Sequence, residues 1–375
     1  MICTDEFDPT EEFYWYEPDR REDTSTRSSD VSRMLVQGRE HTEIELLASA
    51  QSGDERAFEE LTLPHRRELY VHCYRMLGSL DDADDAFQET LLRAWRGLDG
   101  FEPHAPFRAW LYRIATNVCL TTLARRARRG EVSDKGREGG HDDAWRKEGE
   151  PVYLDPYPDR LLDELGPEAT AEQREGVELA FIAAVQLLPP RQRATLLLRD
   201  VVGYTAAEVA EILATSTAGV NSALQRARAT LTRGRAAGQV TRAHVRTSTA
   251  TEQTLVRRLV DAWQAADIPS IVEILTEDAL FTMPPLPARY VGRDAIRAFL
   301  ATGPGGARLD RFRLVPTRAN RQPALAAYYR GGDEGPYRAH AVIVLAIEGE
   351  EIASLVRFAA PGLFGRFGLP TMLEG

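Results

Sequence analysis

LPPRQRATLLLRDVVGYTAAEVAEILATSTAGVNSALQRARATL, residues 188–231, holds two helical patterns parted by a short polar turn. Pro189 and Pro190 stop the preceding helix, VELAFIAAVQLL, because proline has no amide hydrogen to donate and a fixed φ. After RQRATLLLRDVV and Gly203 come TAAEVAEILA, the turn Thr215-Ser216-Thr217, and AGVNSALQRARATLTRGR. Two helices joined by so short a turn, the second rich in arginine, match a helix-turn-helix whose second helix enters a major groove. In that helix Val220, Leu224, Ala227 and Leu231 recur at helical spacing and predict the buried side. The outward side carries Thr217, Asn221, Ser222, Gln225 and Arg228. Amide and guanidinium groups make paired hydrogen bonds to base edges, so this face suits direct reading of a duplex.

The charge of the whole chain argues against a nucleic-acid partner, since 46 Lys and Arg stand against 57 Asp and Glu, a net charge of -11 over 375 residues. The distribution resolves the conflict. Residues 1–43 carry 12 acidic and 5 basic groups and residues 130–176 carry 14 and 6, whereas 177–248 carry 4 and 9. Acid therefore sits in segments that read as an extension and a linker. The length also calls for two or three cores instead of one. Five pieces result: an acidic N-terminal extension, 1–43, expected to be disordered despite its cluster Phe13-Tyr14-Trp15-Tyr16; a helical piece, 44–129; an acidic linker, 130–176; the helix-turn-helix piece, 177–248; and a final domain, 249–375.

Hydrophobic residues at 43% and charged residues at 27% fit folded soluble domains. No run reaches the roughly 18 apolar residues of a membrane span, and the acidic start is unlike a signal peptide, so a cytoplasmic protein with no membrane partner is expected. Cys3, Cys73 and Cys119 are odd in number and widely spaced, which argues for reduced thiols and against a structural zinc site. No cofactor or metal is called for.

The helical piece contains YRMLGSLDDADDAFQETLLRAW, residues 74–95. Asp81 is placed as the N-cap of a helix whose buried stripe is Ala83, Phe87, Leu91, Ala94 and Trp95. Asp84 with Gln88 and Asp85 with Glu89 are then left on the exposed face, which as sequence alone reads equally as a solvated acidic surface. After a loop with Gly100, Pro103 and Pro106 comes FRAWLYRIATNVCLTTLARRARR. Trp110, Ile114, Val118 and Leu120 to Leu123 are expected to face the core, with Arg108, Arg113 and Asn117 on the opposite side. Guanidinium groups, an amide and aromatics beside a proline-containing loop are what single-stranded nucleic acid needs: cations for phosphate, flat faces for stacking, an amide for a base edge. In the linker, PVYLDPYPDRLLDEL is crowded with Pro, Tyr and Asp and should be extended, part of it docking elsewhere.

These three linked patterns resemble a small, extracytoplasmic-function sigma factor of the sigma-70 family. Residues 74–95 resemble its region 2, 107–126 its promoter -10 region, and 188–231 its region 4, in the family's order. The resemblance implies partners and roles. Asp84, Asp85, Gln88 and Glu89 would meet the β′ coiled-coil of core RNA polymerase, with region 4 on the β flap. Arg108, Trp110, Arg113 and Asn117 would hold the -10 strand of promoter DNA. Thr217, Asn221, Ser222, Gln225 and Arg228 would read the -35 duplex. The acidic linker would run through the polymerase channel, and the protein would do no bond chemistry.

The last piece has an α+β pattern: EQTLVRRLVDAWQAADIPSIVEIL as two helices, ALFTMPP as a strand, GRDAIRAFLATG as a helix, then four strands, RFRLVPTRA, PALAAYYRG, YRAHAVIVLAIEG and EIASLVRF. That order, with Trp263, Asp267, Leu275, Met283 to Pro285, Gly292 and Phe299, resembles the SnoaL-like cone. The fold class expected is therefore multi-domain: two all-α helical domains plus a C-terminal α+β SnoaL-like cone. Enzymes of that fold use an acid or base inside the cone, and the strands offer only Tyr328, Tyr329, His340 and Arg357, with no inward carboxylate. A regulatory or ligand-sensing domain is expected, closed by the tail LFGRFGLPTMLEG and docked on the helical core, with an unidentified small ligand as its open partner. The rival readings are a free-standing helix-turn-helix regulator and a small-molecule enzyme built on the cone.

Overall fold

The computed structural model describes residues 43–102, 106–129, 154–163, 177–236, 248–284, 286, 288–302 and 308–374. The acidic extension up to residue 42, Cys3 and most of the linker lie outside the described residues. The chain divides into two units, residues 1–61 and Thr62–Gly375. In the first, helix α1 (residues 43–51) is followed by α2 (Glu55–Thr62). Asp54 caps α2, its carboxylate accepting from the Arg56 and Ala57 amides at 3.0 and 3.3 Å and from the Ser49 hydroxyl at 3.0 Å.

The second unit opens with α3 (Arg66–Leu77), α4 (Leu80–Gly97) and α5 (Phe107–Arg129). Gly78 ends α3 in the left-handed region at φ 73°, its amide donating to the Tyr74 carbonyl at 2.7 Å. The N-cap of α4 is Ser79, not Asp81: Ser79 has the extended ψ of 136° that a cap requires, and Asp81 and Asp82 fall in the first turn, where carboxylates favour the helix dipole. The deepest stripe of α4 is Leu80, Ala83, Ala86, Thr90 and Ala94, with Phe87, Leu91 and Trp95 half-buried beside it. Small residues take the centre because α3 and α5 both press on this helix. On α5 the buried residues are Phe107, Ala109, Leu111, Tyr112, Ala115, Thr116, Val118 and Cys119, a face rotated from the one expected through Trp110 and Ile114. Cys73 and Cys119 are buried free thiols; their shared hydrogen bond, with burial, pushes Cys119 up.

Helices α7 (Leu179–Gln186), α8 (Pro190–Leu196), α9 (Ala206–Ile212) and α10 (Thr217–Ala236) follow the short α6 (Arg160–Asp163). A π-helical turn, Leu197–Val201, continues α8. Thr205 and Glu208 form a capping box that starts α9. Val185, Leu188, Leu196, Leu224 and Ala227 make the small core, with Phe181 and Leu231 against it, as the spacing in α10 predicts.

The last part carries α11 (Thr249–Gln264), α12 (Ile268–Glu273) and α13 (Arg293–Thr302) over one seven-stranded sheet. Its strands are β1 (Leu275–Thr282), β2 (Arg289–Val291), β3 (Phe312–Ala319), β4 (Gln322–Tyr329), β5 (Tyr337–Glu348), β6 (Glu351–Phe358) and β7 (Met372–Leu373). The order is β2-β1-β6-β5-β4-β3, with β7 on β5, and the β1/β6 pair is the parallel one. The four long strands lie where their sequence puts them. β1 begins at Leu275, earlier than expected, and β2 and β7 are additions too short to show a period. One face of the sheet, including Phe281, Leu314, Leu325, Ile343, Leu345 and Leu355, packs with Leu259, Trp263, Ile296 and Leu300 into a single core. The other face is also dry, since Ala326, Val342, Val344, Ala346 and Val356 are buried. Burial on both faces explains why β5 reads AVIVLAI without alternation.

Candidate functional site

On α4, Asp85 and Gln88 are exposed and Glu89 pairs with Arg93 at 2.6 Å. Asp84 is not free. It and Asp81 hold Arg366 of the C-terminal tail, at 2.6 and 2.7 Å. Arg366 sits in a 3-10 helix, Pro361–Phe367, anchored by Phe364 against Tyr328 at 5.0 Å. The Tyr70 phenol is pushed up by burial and by its hydrogen bond to Asp84.

On α5, Trp110, Arg113 and Asn117 share a face by their spacing of three and four. Arg113 and Asn117 are exposed, while Trp110 leans on Phe101 and Phe107 with ring centroids 5.0 and 5.5 Å away. Arg108 departs from this group. Its guanidinium pairs with Glu68 at 2.7 Å and lies over the rings of Tyr112 and Tyr204, 5.0 and 5.3 Å from their centroids. Burial alone would raise Glu68, but hydrogen bonds from His65 and Arg108 outweigh it and hold the carboxyl below its ordinary value. The basic end of α5 is also partly used: Arg126 pairs with Asp82 and donates to the Leu77 carbonyl.

On α10, Thr217, Asn221, Ser222, Gln225 and Arg228 are all exposed on one side. Arg228 makes a two-pronged pair with Asp200, at 2.8 and 3.1 Å, which being exposed adds little to stability. The helix-turn-helix is fastened to α3 by Arg193, buried, which donates to the Met76 carbonyl at the end of α3 and to the Leu188 carbonyl at 3.2 Å. Tyr204 completes the contact edge-on to Tyr112 at 5.5 Å.

The linker segment 154–163 ties these parts together. Asp155 accepts from the Leu80 amide at 2.8 Å, and its amide donates to the Gly78 carbonyl at 2.9 Å. Two residues on, Tyr157 donates its amide to the Asn320 side chain at 2.8 Å and receives the Asn320 amide at 2.8 Å. Asn320 also donates to the Val177 carbonyl at 2.7 Å and to the Tyr74 hydroxyl at 3.2 Å. It is fully buried, in the β3–β4 turn at φ 54°, followed by Arg321 at φ 60°. Asp159 takes the Arg321 amide at 2.6 Å and pairs with Arg318 at 3.3 Å; its burial nonetheless raises its carboxyl to about 6. Among the described residues no three His, Cys, Asp or Glu side chains meet as a metal would require.

Comparison with known proteins matches these parts one by one. Residues 61–129 match sigma-70 region 2, residues 178–231 sigma-70 region 4, and residues 256–355 the SnoaL-like domain. The ECF RNA polymerase sigma factor SigG of Mycobacterium tuberculosis is 42% identical over 366 residues, covering 95% of this chain and 93% of its own. The chain belongs to the ECF RNA polymerase sigma factors. SigM of the same organism is 31% identical over 194 residues, 52% of this sigma factor and 85% of its own length. The crystal structure of the M. tuberculosis extracytoplasmic function sigma factor SigJ covers 84% of this chain and 99% of its own with a TM-score of 0.55 at 24% identity, a likeness of fold. A free-standing helix-turn-helix regulator is not favoured. Asp155, Asn320 and Arg366, which join the regions, escaped the sequence reading, and Asp81 was read there only as an N-cap. An asparagine between two strand patterns is a turn signal at Asn320, though not of its contacts. Nothing local marks Arg366.

Proposed function

We propose that this sigma factor seats on core RNA polymerase in the cytoplasm and directs it to promoters through three faces. Asp84, Asp85, Gln88 and Glu89 meet the basic β′ coiled-coil, where complementary charge sets the docking. Region 4 meets the β flap. Trp110, Arg113 and Asn117 bind the separated -10 strand, and Arg108 joins them once Tyr204 withdraws and the Arg108–Glu68 pair opens. Thr217, Asn221, Ser222, Gln225 and Arg228 read the -35 duplex, Arg228 exchanging Asp200 for a base or phosphate. In this division of labour residues 44–129 and 177–248 work on polymerase and promoter, 130–176 links them, and 249–375 modulates without doing bond chemistry.

The observation that carries the modulating role is Arg366 on Asp81 and Asp84. A cation from the last domain stands where a cationic polymerase surface is proposed to bind. Tyr204 of the 177–248 piece also covers Arg108, so the closed chain presents its surfaces incompletely. Two weak DNA-reading faces become a strong one only when polymerase fixes their spacing. The test is transcription in vitro by sigma-free core polymerase with the start sites sequenced. Added protein should produce discrete starts with a shared upstream element, and no start-site selection by either the full chain or a chain ending before residue 249 would refute the proposal.

A further inference from the structure

Within three consecutive residues around α6, the linker segment bonds to three other parts of the second unit. Asp159 accepts from the Arg321 amide at 2.6 Å and pairs with Arg318 at 3.3 Å, which fixes the segment to the β3–β4 turn. The Leu161 carbonyl accepts from Arg67 of α3 at 3.0 Å. Between them Arg160 reaches the C-terminal tail. Its Nη2 donates to the Gly365 carbonyl at 3.2 Å and its Nε to the Arg366 carbonyl.

Those two carbonyls stand at the end of the 3-10 helix Pro361–Phe367, where backbone acceptors run out of helical donors and a cation is favoured. Gly368 closes this helix at φ 73°, its amide bonded to the Gly365 carbonyl at 3.1 Å. A Cβ at Gly368 would stand 3.8 Å from Cδ and Nε of Arg160, so the arginine stem packs on the closing turn as well as bonding to it. Arg366 meanwhile sends its own guanidinium to Asp81 and Asp84 of α4. A single residue thus has its carbonyl held by the linker and its side chain on the helix proposed to face polymerase. Phe364 anchors the tail as a whole, whereas the last turn, which aims Arg366, is gripped by Arg160. Arg160 is exposed, so these bonds add little to global stability and act on position.

We infer that Arg160 is a positioning residue that makes the cover on α4 conditional on the linker: the tail holds Arg366 against Asp81 and Asp84 only while segment 154–163 is docked, and undocking it bares the helix. This rests on the reading that Asp84 belongs to the polymerase-binding face. The β3–β4 turn that seats the linker also seats the start of α7, since Asn320 donates to the Val177 carbonyl and the Leu179 amide donates to Gln322 at 3.1 Å. Displacing the helix-turn-helix piece from that turn removes bonds from the same residue, Asn320, that holds Tyr157 of the linker, which couples its movement to the tail.

Two measurements on the full-length chain test it: hydrogen exchange, which reads the tail, and affinity for core RNA polymerase, which reads the cover. In Arg160→Met, which keeps the stem and loses the donors, the Gly368 and Leu369 amides should exchange at least about threefold faster while those of α10 stay as they were. The same variant should bind polymerase about two- to threefold more tightly. Combined with Arg366→Ala it should gain nothing beyond Arg366→Ala alone, because both act on one contact. Arg160→Lys, which keeps the charge without the fork, should fall between. Unchanged tail exchange in Arg160→Met, unchanged affinity beside a tighter Arg366→Ala, or a gain that adds in full to that of Arg366→Ala would each overturn the inference and leave the cover on α4 standing. Unchanged affinity in Arg366→Ala would remove the cover itself, and the inference with it.

Discussion

Asn320 joins three separate segments, since it bonds to Tyr157, Val177 and Tyr74 from a fully buried, left-handed position. Asn tolerates that conformation better than most residues, and its amide both donates and accepts. Replacing it with alanine strands the Tyr157 amide and the Val177 carbonyl and adds backbone strain, so Asn320→Ala should cost about 3 kcal/mol or more, read from denaturant unfolding. An exposed turn residue would cost almost nothing. His72 permits a pH prediction. Burial lowers it to about 3 from 6.5, with its Nε2 held at 2.9 Å from the Thr116 hydroxyl. The folded state therefore binds fewer protons than the unfolded one: the contribution is full above pH 6.5 and is lost as pH falls toward 3. Between pH 6.5 and 5 the chain should lose about 2 kcal/mol from this group, and His72→Gln should flatten that slope in melting curves.

At the scale of elements, α10 was legible because burial there follows a simple period, as Val220, Leu224 and Ala227 show, and the four long strands because short apolar runs are bounded by turn residues. α4 and α5 were legible as helices but not as oriented surfaces. Each is pressed from more than one side, so Ala86 and Thr90 are deeper than Phe87 and Leu91, and Trp110 belongs to the outer face beside Arg113 and Asn117. That placement separates two arginines grouped by sequence. Arg113→Ala should reduce promoter opening with little change in melting temperature, whereas Arg108→Ala, which leaves Glu68 half-buried without its guanidinium, should lower stability as well; permanganate footprinting and calorimetry distinguish them. The capping box of α9 supplies a purely local check: Thr205→Ala should destabilise the helix-turn-helix by about 1 kcal/mol in chemical unfolding.

At the scale of the whole second unit, the linker segment, the β3–β4 turn and the C-terminal tail form one closure between the helical regions and the sheet domain. Composition showed the segment DPYPD to be extended and apt to dock, but its partners lie more than 70 residues away in either direction, beyond any local signal. The same distance hid Arg366, 282 positions from Asp84. The central claim is that the tail shields the polymerase-binding face of α4, and the affinity of the full-length chain for core RNA polymerase, compared with that of Arg366→Ala, tests it most directly. Arg366→Ala leaves every α4 residue intact and unmasks Asp81 and Asp84, so the account predicts tighter binding, by roughly three- to tenfold for the loss of a competing ion pair. Unchanged or weaker binding by a folded Arg366→Ala chain would contradict it.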